Sequence, residues 1–166
     1  MDVELHPTVV VMGVSGSGKT TVGVILAHQL GVPFADADDF HSDAAKAKMH
    51  SGHPLTDEDR APWLKRLADW LADEPDGCVL ACSALKRRYR DVLRSRSPQL
   101  AFLHLAGDPS VVTDRVAHRQ GHYMPASLVQ SQYAALEPLE SDERGLAIDF
   151  TEDPEQIVQQ FLKEIR

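Results

Sequence analysis

Residues 13–20 read GVSGSGKT, a full match to the pattern G-x-x-x-x-G-K-[ST]. This octet constrains the fold more than any other feature, because it works only between a strand and a helix. Gly13, Gly16 and Gly18 let the backbone curl so that its N–H groups face inward onto phosphate oxygens. The helix that follows points its positive end at the same anion. Lys19 reaches the β- and γ-phosphates of a nucleoside triphosphate, and Thr20 places a hydroxyl on Mg²⁺. Both flanks satisfy the requirement. Val9, Val10 and Val11 form a β-branched run before Gly13, and Val22, Ile25, Leu26 and Leu30 recur at helical spacing after it.

The rest of the chain repeats that alternation. Strands are expected near residues 33–37, 78–83 (CVLACS), 101–106 and 146–150. Between them lie a short helix at 42–51 and an amphipathic helix carrying Trp63, Leu67, Trp70 and Leu71. Thr56, three residues before Asp59, caps the latter in a variant of the capping box. Leu85, Tyr89, Val92 and Leu93 mark a further helix, ending before Ser97-Pro98. Asp108-Pro109 opens a helix to about Arg119, Pro125 one to about Leu136, and Asp153-Pro154 the last. Short, nearly all-apolar strands alternating with helices predict an α/β fold: a five-stranded parallel sheet covered on both faces. The 166 residues suit a single domain, 1–166.

Composition narrows the partners. The formal charge is −8, which argues against general nucleic-acid binding. An acidic protein that binds anions must gather its cations locally, and residues 86–96 do so with Lys86, Arg87, Arg88, Arg90, Arg94 and Arg96 against Asp91 alone. About half of these are expected on a solvated helix face. Cys78 and Cys82 fall four apart in one strand, roughly 13 Å between Cα atoms, too far for a disulfide. No apolar run approaches the ~20 residues of a membrane span, and the first residues lack a signal-peptide charge pattern. A soluble cytoplasmic protein is the expectation.

The phosphate loop alone leaves the class of nucleotide enzyme open. The chain contains no asparagine, so the guanine-specifying N-K-x-D of regulatory GTPases is absent. Asp142-Glu143-Arg144-Gly145 fits D-x-x-G but precedes the last strand, the wrong place for a switch. A small phosphotransferase is left. Asp36-Ala37-Asp38-Asp39-Phe40-His41 follows the second strand, where ligands sit in doubly wound sheets. On an extended chain Asp36 and Asp38 share a face. One could hold Mg²⁺ and the other accept a hydroxyl proton, although an Asp-rich turn needs no function.

DADDFH (36–41), KMHSGHPLTDEDRAPWL (48–64), CSALKRRYRD (82–91) and GHYMPASLVQSQY (121–133) together resemble the small P-loop gluconokinases. Four separated motifs occur in the right order, and the resemblance covers about residues 8–150. It implies a nucleoside-monophosphate-kinase-like fold with a mobile lid at about 115–136, transfer of phosphate from ATP with Mg²⁺ to D-gluconate, and a homodimer. More distantly, the two aspartates look like those of shikimate kinase, where the first lies near the metal and the second contacts substrate.

The resemblance also assigns residues. Gly13, Val14, Ser15, Gly16, Ser17, Gly18, Lys19, Thr20 and Thr21 hold the ATP phosphates, with Thr20 and Asp36 toward the metal. Asp38 is the implied base. His41, Lys48, Arg60, Ser83, Lys86, Arg87 and Arg90 fall on the acceptor side. Arg115 and Arg119, four apart on one helix face, begin the lid and neutralise the transferring phosphoryl group, which makes Lys19, Asp38 and Arg119 the catalytic set. Thr151 to Pro154 is where such folds hold adenine. Met49, Trp63 and Leu64 are expected to pack. Tyr123 stands where the family usually has Phe. His28, His50, His53, His104 and His118 lack metal-ligand spacing. A kinase of another anionic acceptor, such as shikimate, or of a nucleoside monophosphate, and a non-catalytic nucleotide-binding module are the alternatives.

Overall fold

A computed structural model describes residues 7–52, 55–117 and 126–165. Its parallel sheet has the order β2-β3-β1-β4-β5, with β1 Thr8–Met12, β2 Phe34–Asp36, β3 Cys78–Ala81, β4 Ala101–Ala106 and β5 Gly145–Asp149. The helices are α1 Lys19–Leu30, α2 Asp43–His50, α3 Asp57–Asp73, α4 Arg87–Leu93, α5 Pro109–Ala117, α6 Ala126–Ala135 and α7 Pro154–Glu164.

The central strand β1 shows why the sheet needs cover on both sides. Val10 pairs in register with Leu80 of β3 and with Phe102 of β4. Successive side chains of β1 point to opposite faces. Val9 and Val11 enter one core with Leu26, Leu103, Ile157, Val158 and Phe161, beneath α1 and α7. Val10 and Met12 enter the other with Leu64, Leu67, Leu71 and Leu93, beneath α3 and α4. Thr56 and Asp59 complete a reciprocal capping box at the start of α3 (Asp59 N–H to Thr56 Oγ1 3.1 Å, Thr56 N–H to Asp59 Oδ2 2.8 Å).

Two expectations change in detail. β3 ends at Ala81, so Cys82 and Ser83 belong to the loop beyond it. The chain does not stay extended after β2 either. Asp36 accepts a hydrogen bond from the Asp38 N–H (2.9 Å) and so caps a single 3₁₀ turn over Ala37–Phe40. The two carboxylates face the same cleft because the chain turns, not because it alternates. Cys78 and Cys82 are both free and buried, and burial pushes each thiol up to about 12. Among the described residues no helix is long and apolar enough to cross a membrane.

Candidate active site

A cleft of about 590 Å³ opens over the ends of β1, β2 and β3. Its floor is the phosphate loop. Gly16 (φ 86°) and Gly18 (φ 99°) occupy left-handed conformations that side-chain-bearing residues rarely adopt. The Gly13 N–H donates to Ser83 O (3.2 Å), which ties the start of the loop to the chain leaving β3. The Ser17 N–H donates to Val14 O (3.2 Å) inside the loop, and Ser17 Oγ is buried with no hydrogen-bond partner among the described residues. Lys19 Nζ lies across the curl, donating to Gly13 O (2.9 Å) and Val14 O (3.1 Å).

Two further walls bring carboxylates to this floor. The Thr20 hydroxyl donates to Asp36 Oδ2 at 3.4 Å. These are hard oxygen donors suited to Mg²⁺, which takes one or two protein ligands and completes its shell with water and phosphate oxygens. Thr20 and Asp36 therefore fit the role expected of them, and the ion would supply charge neutralisation between phosphates. Asp38 faces Lys19 across the cleft. The Asp38 side chain is open to solvent at the cleft mouth, 87% exposed, and only the surrounding protein mass desolvates it. That desolvation, reinforced by the like charge of Asp36, raises its pKa above the ordinary 3.8 against the pull of His41 and Lys19.

The third wall is aromatic. His41, with 6% of its side chain exposed, stacks on Trp63 with ring centroids 4.3 Å apart and planes 12° from parallel. Trp63 Nε1 donates to Ala37 O at 2.7 Å, and Arg66 donates twice to Phe40 O (2.9 and 3.0 Å), so α3 pins the whole Asp38 turn from both ends. His41 Nε2 lies 4.0 Å from Asp38. Burial lowers the His41 pKa, with Asp38 opposing, which keeps the imidazole neutral at pH 7. Its Nδ1 is buried with no hydrogen-bond partner among the described residues. Trp63 was expected only to pack; it packs and also lines the cleft.

The cations divide sharply. Arg115 reaches the cleft and bridges its floor to β5. It donates to Gly16 O (3.2 Å), Ser17 O (3.4 Å) and Phe150 O (3.0 Å), and its guanidinium lies 4.9 Å from the Phe150 ring centroid. That places it beside the 151–154 segment expected to hold adenine. Arg60 donates to Tyr89 Oη (3.2 Å) and lies 3.9 Å from Asp57, with about a third of its side chain exposed. Lys48 is paired to Asp59 at 2.6 Å, and that hydrogen bond holds Asp59 at about 2. Lys86 caps α4 through its carbonyl, which accepts from the Tyr89 and Arg90 N–H groups, and its side chain has no hydrogen-bond or ion-pair partner among the described residues.

Arg87 and Arg90 do not come to the cleft. Arg87 is taken up by Asp91 (3.1 Å), Asp142 (2.8 and 3.0 Å) and Glu140 (3.3 Å). Arg90 is 0% exposed and donates to both oxygens of Glu143 and to Ala84 O. The Arg90 guanidinium is sealed from any substrate, and the partly exposed Arg87 is committed to carboxylates away from the cleft lining, so the expectation that they bind the acceptor is corrected: they secure α4 to the 137–144 loop. Arg119 and Tyr123 lie outside the described residues, as do His53, His118 and the middle of the segment expected to form a lid. Gln132, on α6, carried no expectation, yet its amide meets the phosphate loop at Ser15.

A phosphate loop, a carboxylate with a raised pKa and an aromatic wall are common to several phosphotransferases. Comparison with known proteins separates them. The shikimate kinase family model matches residues 15–166. A gluconokinase of Gluconobacter oxydans is 44% identical over 93% of this chain and 88% of its own length. The chain belongs to the gluconokinase family.

Solved structures agree. A gluconokinase from Sinorhizobium meliloti is 44% identical, superimposes with a TM-score of 0.87 and covers 96% of this chain and 91% of its own. A sugar kinase from Janibacter is 52% identical, with the same TM-score of 0.87, over 95% of this chain and 92% of its own. Kinship to the broader shikimate kinase group fits the paired aspartates at the end of β2, which line the cleft of this gluconokinase-family chain.

Proposed function

We propose that the protein catalyses ATP + D-gluconate → ADP + 6-phospho-D-gluconate. The observation that carries this reading is one cleft holding both the phosphate loop and Asp38, in a chain of the gluconokinase family. The loop N–H groups and Lys19 take the triphosphate, with Mg²⁺ at Thr20 and Asp36. Asp38 orients the acceptor hydroxyl and receives its proton as the oxygen bonds to the γ-phosphorus. The bond from that phosphorus to the β–γ bridging oxygen breaks, and ADP leaves with the electron pair. A raised pKa makes Asp38 a stronger base than an ordinary aspartate.

His41 and Ser83 stand at the acceptor side, and Lys86 and Arg60 are the cations proposed to meet the acceptor carboxylate. Arg115, with Arg119, is assigned to the nucleotide, as the start of a lid. A cytoplasmic homodimer belongs to the same proposal, and sedimentation would test its stoichiometry. Coupled ADP release across gluconate, shikimate, nucleoside monophosphates and sorbitol tests the reaction. Gluconate alone should give rapid, Mg²⁺-dependent turnover. Equal or faster turnover of shikimate would overturn the acceptor assignment.

A further inference from the structure

The side chain of Gln132 is bound to the phosphate loop, 117 residues away in sequence. The Ser15 N–H donates to Gln132 Oε1 at 2.7 Å, and Gln132 Nε2 donates to Ser15 Oγ at 3.1 Å. The amide can point only one way. A backbone N–H is a donor and nothing else, so the oxygen must face it, and the nitrogen is then directed at the hydroxyl. The N–H and the hydroxyl of Ser15 are thus both held by one side chain from another element.

Ser15 lines the cleft between Val14, which is buried in the core, and Gly16. On either side of it the loop has its own ties: Gly13 N–H to Ser83 O, Ser17 N–H to Val14 O, and Arg115 to Gly16 O. Ser15 has its tie through Gln132. The neighbouring Tyr133 donates its hydroxyl to Gly107 O at 3.1 Å, so α6 is docked on the chain leaving β4 as well as on the loop. Two consecutive residues of α6 therefore brace two of the strand-end loops that surround the triphosphate position.

We infer that Gln132 is a positioning residue for the nucleotide: it sets the conformation of the phosphate loop through Ser15 and makes that conformation depend on where α6 lies. This rests on the phosphotransfer reading for its consequence in turnover, but not for its consequence in ATP binding. Gln132→Leu keeps the volume and removes both hydrogen bonds. ATP affinity, measured by calorimetry without acceptor, should fall about tenfold, the equivalent of one to two neutral hydrogen bonds. In steady state, kcat should fall while KM for gluconate stays within about twofold, because the acceptor side is untouched. Gln132→Glu keeps an acceptor for the Ser15 N–H but adds a negative charge beside the triphosphate, so it should weaken ATP binding more than Gln132→Leu does.

Ser15→Ala should show a smaller loss, and the double variant Ser15→Ala/Gln132→Leu should be no worse than Gln132→Leu alone, since both remove one linkage. A purely structural role would lower the melting temperature and leave ATP affinity per folded molecule unchanged. Unchanged affinity in Gln132→Leu, or additive losses in the double variant, would overturn the inference. Should Gln132→Leu fail to fold, Gln132→Glu and Ser15→Ala decide it by the same calorimetry. Wild-type protein that bound ATP but turned over no acceptor would sink the phosphotransfer reading and leave this one to the binding data.

Discussion

The guanidinium of Arg90 and the carboxylate of Glu143 meet through two hydrogen bonds, 2.7 and 3.0 Å, with neither side chain exposed to solvent. Arg94 adds a third to Glu143 (2.7 Å), and Arg90 also donates to the carbonyl of Ala84, a residue at φ 47° just past the cleft residue Ser83. The pair therefore joins α4, the 137–144 loop and the chain leaving β3.

Glu143→Ala leaves Arg90 buried and without its counter-charge. It should destabilise the fold by about 3–5 kcal/mol, read from denaturant midpoints. The pH dependence checks the cause. Burial by itself would raise the Glu143 pKa, but the hydrogen bonds from Arg90 and Arg94 prevail and hold it at about 2 rather than 4.5. The folded state thus favours the ionised form. The stabilisation is complete above pH 4.5 and is lost as pH falls through about 2. The stability gap between wild type and Glu143→Gln should be flat at neutral pH and narrow in acid. A gap that persisted at pH 2 would exclude the charged pair as its source.

The same pair marks what could be read from the sequence. Strand runs such as Val9–Val11 and the stripe on α3 announce themselves because their burial follows the local period. Thr56 and Asp59 find each other three residues apart. Arg90 and Glu143 are 53 positions apart, and no local pattern says that an arginine in a basic run points inward to meet a glutamate. The charge of the run points only to a local gathering of cations, and it is the family resemblance that implies acceptor binding for Arg87 and Arg90. Trp63 was placed correctly on a buried stripe, but period cannot show that one edge of the stripe opens on a cleft. Gln132 is a neutral residue whose meaning lies wholly in what the fold sets opposite it.

Asp38→Asn should lower kcat by ~10²–10⁴ if proton acceptance matters in the transition state. Because Asp38 titrates above the ordinary value of 3.8, the acid limb of kcat/KM should lie above that pH. The second cause of the shift is the neighbouring charge of Asp36. Asp36→Asn should therefore move the limb to lower pH, besides altering the Mg²⁺ dependence. A limb that stayed in place would separate Asp36 from the titration of Asp38.

Gly107→Ala tests the nucleotide side. A Cβ at Gly107 would fall inside the van der Waals surface of the Phe150 ring. Arg115 is held by that same residue, through its carbonyl and over its ring. Moving the ring should cost about 1–3 kcal/mol in stability and raise KM for ATP, with KM for gluconate little changed. Gly107→Ala/Phe150→Leu should recover much of the stability by opening space. If KM for ATP did not move, Arg115 would have no place in nucleotide binding.

The last prediction concerns the acceptor's charge. Gluconate carries a carboxylate that sorbitol lacks. Of the acceptor-side cations, Lys48 is committed to Asp59 and Arg87 and Arg90 to their own carboxylates. The Lys86 side chain has no such partner among the described residues, and Arg60 donates to the Tyr89 hydroxyl with Asp57 at a longer 3.9 Å. A hydrogen bond to a charged group is worth about 1.5–3 kcal/mol. An unfilled polar site adds a penalty, so sorbitol should be disfavoured on the order of 10²-fold in kcat/KM. Lys86→Ala and Arg60→Ala should each raise KM for gluconate more than KM for ATP, and whichever residue holds the carboxylate should also shrink the gluconate/sorbitol ratio toward unity. Arg60→Lys would recover less than Lys86→Arg, because only a planar fork can bind Tyr89 and a carboxylate together. Equal turnover of sorbitol and gluconate by wild type would exclude carboxylate recognition. A ratio unchanged in both alanine variants would move the anchor to Lys48, released from Asp59 when the acceptor arrives.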